Sequence, residues 1–197
     1  MRLLHRMSEH EVVATFLRAE LDSGRYGATL RALLARDGRP EEVLRRPDFA
    51  SETDNDYRRT LLDEHRAFER REGLFLGFPR HVEWQRAALE PGEVLAIRYI
   101  NWEWWLDASG GSRRATDAAR RIRAGELAGV SADEHEAFAD AAEQPELIAA
   151  TTPDLAPLVL VEGHARLTAY ALFPERLPPE LELFVGISPE MPGCCQF

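Results

Sequence analysis

The sequence predicts an α+β protein in which an N-terminal helical region, residues 1–90, packs on a C-terminal mixed α/β domain, residues 91–197. Three observations predict it. Through the first ninety residues apolar side chains recur at three- and four-residue spacing, the period of one helix face. From Glu93 the chain turns β-rich in Val94-Leu95-Ala96-Ile97-Arg98-Tyr99-Ile100. Further on, the apolar run Leu158-Val159-Leu160-Val161 stops at Glu162-Gly163-His164-Ala165-Arg166, and a helical pattern follows.

Ser8-Glu9-His10-Glu11 is a capping box that opens a first helix through Val12, Val13, Phe16, Leu17 and Leu21. Ser23-Gly24 ends it. A second helix is expected from Tyr26 to Arg36, with Leu30, Leu33 and Leu34 on one face, and Pro40-Glu41-Glu42 starts a short third. The fourth runs from Asp56 to Arg71, with Gly73 as its stop. Leu74 to Pro79 reads as an apolar loop or short strand. It delivers the chain to a fifth helical pattern, His81 to Leu89.

After the expected strand Val94–Ile100, the aromatic run Asn101-Trp102-Glu103-Trp104-Trp105 reads as a loop edge. It either wedges the two halves together or forms a wall on which a planar ligand stacks. Ser109-Gly110-Gly111-Ser112-Arg113-Arg114 is either a linker into a helix at Thr116–Ala124 or a phosphate cradle of amides, hydroxyls and guanidinium groups. Ser131 opens another helix, expected to reach Glu143. Pro145 to Ala150 is read as a short helix, and Leu181 to Ile187 as a closing strand.

The Glu162–Arg166 turn carries the most chemistry. A helix N-terminus presents free amides, glycine lets a backbone come close to a ligand, and Arg166 can fork two phosphate oxygens. The same residues also suit a packed strand-to-helix junction in which Glu162 caps the helix and Arg166 makes a surface ion pair. Val161-Glu162-Gly163-His164-Ala165-Arg166-Leu167-Thr168-Ala169-Tyr170 resembles the Asp-Gly-His-His-Arg or Gly-Cys-His-Arg turn of the ParB/sulfiredoxin superfamily, which includes partition proteins, sulfiredoxin and free serine kinases.

That resemblance implies a nucleotide held by Gly163, His164 and Arg166, with Glu162 in the place of the family's acid. His164 stands where sulfiredoxin has its reactive cysteine, which argues against sulfiredoxin chemistry. Ala165 replaces a second histidine and removes one phosphate contact. By region rather than by motif, Glu103 takes the place of the catalytic base of the serine kinases, with Asp107 next in order. Ser112 and Arg113 fall on the substrate side. The resemblance therefore implies ATP or ADP with magnesium, Glu162 orienting the metal, and a phosphotransferase or nucleotide hydrolase acting on a small molecule. A non-catalytic binding or regulatory module on the same scaffold is the alternative.

Composition narrows the classes further. The formal net charge of -10 disfavours nucleic acid as a partner, because non-specific affinity for it comes from a basic surface. All 24 basic residues are arginine, so neither a Schiff-base lysine nor a P-loop lysine exists. No apolar run approaches the roughly 18 residues of a membrane span, so no membrane partner and a cytoplasmic location are expected. Cys194 and Cys195 read as free thiols of a reducing compartment. The histidines His10, His65 and His81 have no partner at metal-ligand spacing.

Overall fold

In a computed structural model, which describes residues 1–139 and 146–197, the chain forms an α+β fold built on one mixed sheet. The strands are β1 (Arg2–Arg6), β2 (Glu83–Leu89), β3 (Ile148–Thr151), β4 (Val159–Glu162) and β5 (Leu181–Ile187), in the spatial order β1-β2-β5-β3-β4. Only β3 and β5 run parallel; the other neighbours are antiparallel. Opposed pairs include Arg2 with Ala88, Arg86 with Phe184, and Ile148 with both Phe184 and Glu162.

Each face of the sheet is covered by helices, so there are two cores. On one face lie α1 (Glu9–Leu21), α2 (Gly27–Arg36), α3 (Glu42–Arg45) and α4 (Glu52–Arg66), whose leucines and Phe16 meet Trp84, Ile148, Val161 and Phe184 of the sheet. On the other lie α5 (Pro91–Ala96), α6 (Glu103–Ala108), α7 (Ala115–Arg123), α8 (Ala132–Glu136) and α9 (His164–Leu172), packed on Ala87, Ala149, Leu160, Leu183 and Val185. The split follows from the two-residue period of strands: Phe184 points to one layer, while Leu183 and Val185 point to the other.

Several expected elements form as read. The Ser8 and Ser131 capping boxes open α1 and α8, β4 and α9 flank the Glu162–Arg166 turn, and β5 closes the sheet. The fourth helix starts a turn earlier than expected, because Ser51 caps it by accepting from Asp54 N at 3.2 Å. It ends at Ala67, in a left-handed conformation with φ 58°, rather than at Gly73.

Four expectations are overturned. His81–Leu89 is not a helix: Glu83–Leu89 is β2, paired on both sides, and sheet pairing overrides the helix propensity of Ala87 and Ala88. Val94–Ile100 is not a strand. Pro91 at the first helical turn and a Glu90–Glu93 capping box build α5 there. Only Arg98 keeps strand pairing, bridging Val159 and Arg114, and so covers the outer edge of β4. The Trp102–Asp107 region is helical as α6. Ile148–Ala150 belongs to β3, not to a short helix. Beyond α8 the chain makes a 3-10 turn, Ala137–Ala139, and the expected continuation to Glu143 and the start at Pro145 lie outside the described residues.

Because β2 pairs along its length with β5, the expected boundary at residue 90 falls inside one sheet. The strand β1, Arg2–Arg6, adds an edge that the helical reading of the first ninety residues did not contain.

Candidate functional site at the β4–α9 turn

Strand β4 ends at Glu162 and α9 begins at His164, so the turn between them is the single residue Gly163. Its φ is 102°, in the left-handed region, and a Cβ there would lie 2.3 Å from Leu147 Cδ2. Glycine is thus required on two counts, backbone angle and space. It caps α9 without a side-chain hydrogen bond, which leaves the first-turn amides to other partners.

Glu162 and Arg166 come together one helical turn apart. Arg166 Nη2 donates to Glu162 Oε1 at 3.3 Å, with the side chains 5 % exposed for Arg166 and 20 % for Glu162. Burial pushes the Glu162 carboxyl up to about 7, against the pull of Arg166. Charges from the opposite helical layer reach the same spot, since Glu20 of α1 pushes Glu162 further up and Arg66 of α4 pulls it down. Glu20 is itself buried and contacts His65 Nε2 at 3.2 Å.

His164 sits in an aromatic column. Its ring lies 4.8 Å from that of Trp105 at 22°, Trp105 stacks on Tyr99 at 4.4 Å, and Trp104 meets Trp105 edge-on at 4.3 Å. Burial, with Arg166 and Arg66 nearby, lowers the imidazole to about 3. It is a neutral ring at neutral pH. Tyr99 Oη and Thr168 Oγ1 are 2.7 Å apart, and Thr168 Oγ1 donates to the His164 carbonyl at 2.8 Å, which ties the column to α9. Two nitrogens in this arrangement are buried without a hydrogen-bond partner among the described residues, His164 Nε2 and Arg166 Nη1.

The remaining sequence-predicted residues are placed differently. Glu103 is exposed on α6, the helix that carries Trp105 into the column, and its neighbours Trp102 and Trp104 are each 46 % exposed. Ser112 donates to the Ser109 carbonyl at 3.0 Å and accepts from Arg114 N at 3.2 Å, shaping the entrance to α7. Arg113, with φ 60°, gives its guanidinium to three carbonyls: Tyr99 at 2.8 Å, Phe197 at 3.2 Å and Gln196 at 3.2 Å. Those bonds anchor the C-terminal residues. Glu162, Gly163, His164 and Arg166 are therefore brought together, while Ser112 and Arg113 connect to them indirectly, through Tyr99 and through Ser109, which donates to the Trp105 carbonyl at 2.7 Å.

The sequence reading left Trp105 as either a wedge or part of a stacking wall, and missed Tyr99, Thr168 and the approach of Glu20 and Arg66. The strand expected over Val94–Ile100 hid the part of Tyr99 in a ring column, and nothing local links α1 or α4 to residue 162. As for metal, no group of three His, Cys, Asp or Glu side chains gathers among the described residues. No family model, curated protein or solved structure matches the chain.

Proposed function

We propose that the chain binds a small anionic ligand of the phosphate or nucleotide class at the β4–α9 turn, as its resemblance to the ParB/sulfiredoxin superfamily implies. One observation carries this reading: His164 Nε2 and Arg166 Nη1, at the first turn of one helix, are both buried without a partner among the described residues. Leaving such polar nitrogens unsatisfied costs about 1–3 kcal/mol each, more for a charged group, so a ligand oxygen that accepts from Arg166 Nη1, and from His164 Nε2 in the tautomer that carries its proton there, is favoured. The first-turn amides of α9 add donors of the same kind. The exposed indoles of Trp102 and Trp104, on the helix that touches His164 through Trp105, offer faces for a planar base.

Both nitrogens are covered, so ligand access requires a covering side chain to turn away. Leu147, held against Gly163, is a candidate. If ATP or ADP is the ligand, Gly163, His164 and Arg166 would hold its phosphates. Magnesium fits less well, because Glu162 is already paired with Arg166 and the ion would rest mainly on phosphate oxygens and water.

Binding without chemistry and phosphoryl transfer both remain compatible with this site, and a specific feature favours the second: Glu103 is solvent-exposed on α6, free to meet a substrate hydroxyl. Calorimetric titration with inorganic phosphate, ADP and ATP, with and without magnesium, tests the reading. Replacing Arg166 alone would strand Glu162, so the informative variant is Glu162→Gln with Arg166→Met, which keeps the pair neutral. It should weaken binding roughly 10- to 100-fold, the value of a charge-assisted hydrogen bond, while keeping the fold. Equal affinity in parent and variant rules the site out. With ligand bound, Glu103→Gln should spare affinity and abolish phosphate release; unchanged turnover assigns the chemistry elsewhere.

A further inference from the structure

At the other end of the sheet from Gly163, where β3 and β5 finish and β2 begins, the surface opens into a cleft of about 650 Å³. That volume lies within the range of small-molecule sites. Its wall mixes apolar and charged side chains, with Val82, Trp84 and Pro153 among the apolar ones. Its charges are unevenly satisfied. Of the two carboxylates, Glu83 is paired with Arg6 at 3.0 Å and Glu9 with Arg59 at 3.0 Å. Arg80 and His81 line the same cleft and have no carboxylate or other hydrogen-bond partner among the described residues. The cleft thus holds one guanidinium, that of Arg80, without a paired carboxylate among the described residues, in a chain whose formal net charge is -10.

Trp84 lines this cleft and is 5 % exposed, and its indole Nε1 is buried with no acceptor among the described residues. The six-membered ring of Trp84 lies over Gly186, where an added Cβ would come within 2.7 Å, and it stacks on Phe78 at 6.4 Å. The indole is therefore fixed in place, so its N–H resonance reports on the cleft that the side chain lines.

We propose that this cleft binds a small organic carboxylate with an apolar body, the carboxylate meeting Arg80 and His81 and the body lying on Val82 and Trp84. An unpaired guanidinium and a neighbouring imidazole recognise an anion, and the apolar part of the wall selects against a bare inorganic one. This site is independent of the β4–α9 turn, so either can fail without the other.

The probe is octanoate, titrated into the full chain labelled with nitrogen-15 while the indole N–H resonances of its four tryptophans, assigned through bonds, are followed. The Trp84 resonance should move saturably while those of Trp102, Trp104 and Trp105 stay in place. Arg80→Ala with His81→Ala, both exposed positions, should weaken binding at least about tenfold, as loss of a charge-assisted contact does. Octanol should bind more weakly by a similar factor. The proposal is overturned if the Trp84 resonance shows no saturable movement below about 10 mM octanoate, or if the double variant binds equally well. It is also overturned if inorganic phosphate binds as tightly as octanoate, which would make the cleft a simple anion site.

Discussion

His164 shows how one side chain's state is set by what surrounds it. Burial beside Arg166 and Arg66 lowers its pKa to about 3, from 6.5 in the unfolded chain. Between those values the folded protein binds fewer protons than the unfolded one. The stability contributed by a neutral His164 is therefore fully present above about pH 6.5 and is lost as pH falls toward 3. His164→Phe keeps a ring in the column and removes the titration. The stability difference between parent and variant should shift in the variant's favour on acidification, by up to about 1.4 kcal/mol per pH unit, the limiting slope for one proton. Urea unfolding of both proteins at several pH values below neutrality measures it, and a pH-independent difference would show that the ring is not held neutral by burial. Glu162 works in the opposite sense, since its carboxyl is raised from 4.5 to about 7 and its contribution is lost as pH rises through that window. Comparing parent with variant cancels that term to first order.

At the scale of the element, the segment between α6 and α7 separates the two uses foreseen for Ser109–Arg114. Arg113 spends its guanidinium on the carbonyls of Tyr99, Gln196 and Phe197, while Arg114 is exposed. A phosphate cradle needs Arg113 for ligand; a tether needs it for stability. Arg113→Ala should destabilise the fold by roughly 1.5–3 kcal/mol, the range for hydrogen bonds from a charged group, and should speed amide exchange at Cys195–Phe197. Arg114→Ala should stay within about 0.5 kcal/mol of the parent. If Arg113→Ala instead leaves stability unchanged and weakens phosphate or nucleotide binding, the cradle is the correct use. The neighbouring helix α5 makes a related point. Val94 and Ile97 look like strand residues in isolation, yet Pro91 and the Glu90–Glu93 box start a helix, and the β-branched side chains serve as its buried face and exit.

For the whole molecule, charge and topology set the limits. With a formal net charge of -10 and guanidinium groups largely engaged with carboxylates, the surface has no basic stripe long enough to track a duplex. Random duplex DNA at micromolar protein should show no gel shift at about 150 mM salt, where charges are screened beyond roughly 8 Å. A shift that weakens steeply with added salt would restore a nucleic-acid role. No described helix is long and apolar enough to cross a membrane. Much of this architecture was legible locally. The α+β class, the Ser8 and Ser131 caps, strand β4, the obligatory Gly163 and the amphipathic period of α1, α2 and α4 each depend on residues within a turn or two of one another. Short-range sterics and capping hydrogen bonds are written in neighbouring residues, so a sequence by itself determines them. Only the tertiary structure decided that Glu83–Leu89 is a strand, that Arg2–Arg6 pairs with it, and that Tyr99 and Trp105 stack beside His164 while Glu20 and Arg66 bear on Glu162. Those relations join partners far apart in the chain, and their energies come from sheet hydrogen bonds, ring contacts and shared burial that exist only once both partners are in place.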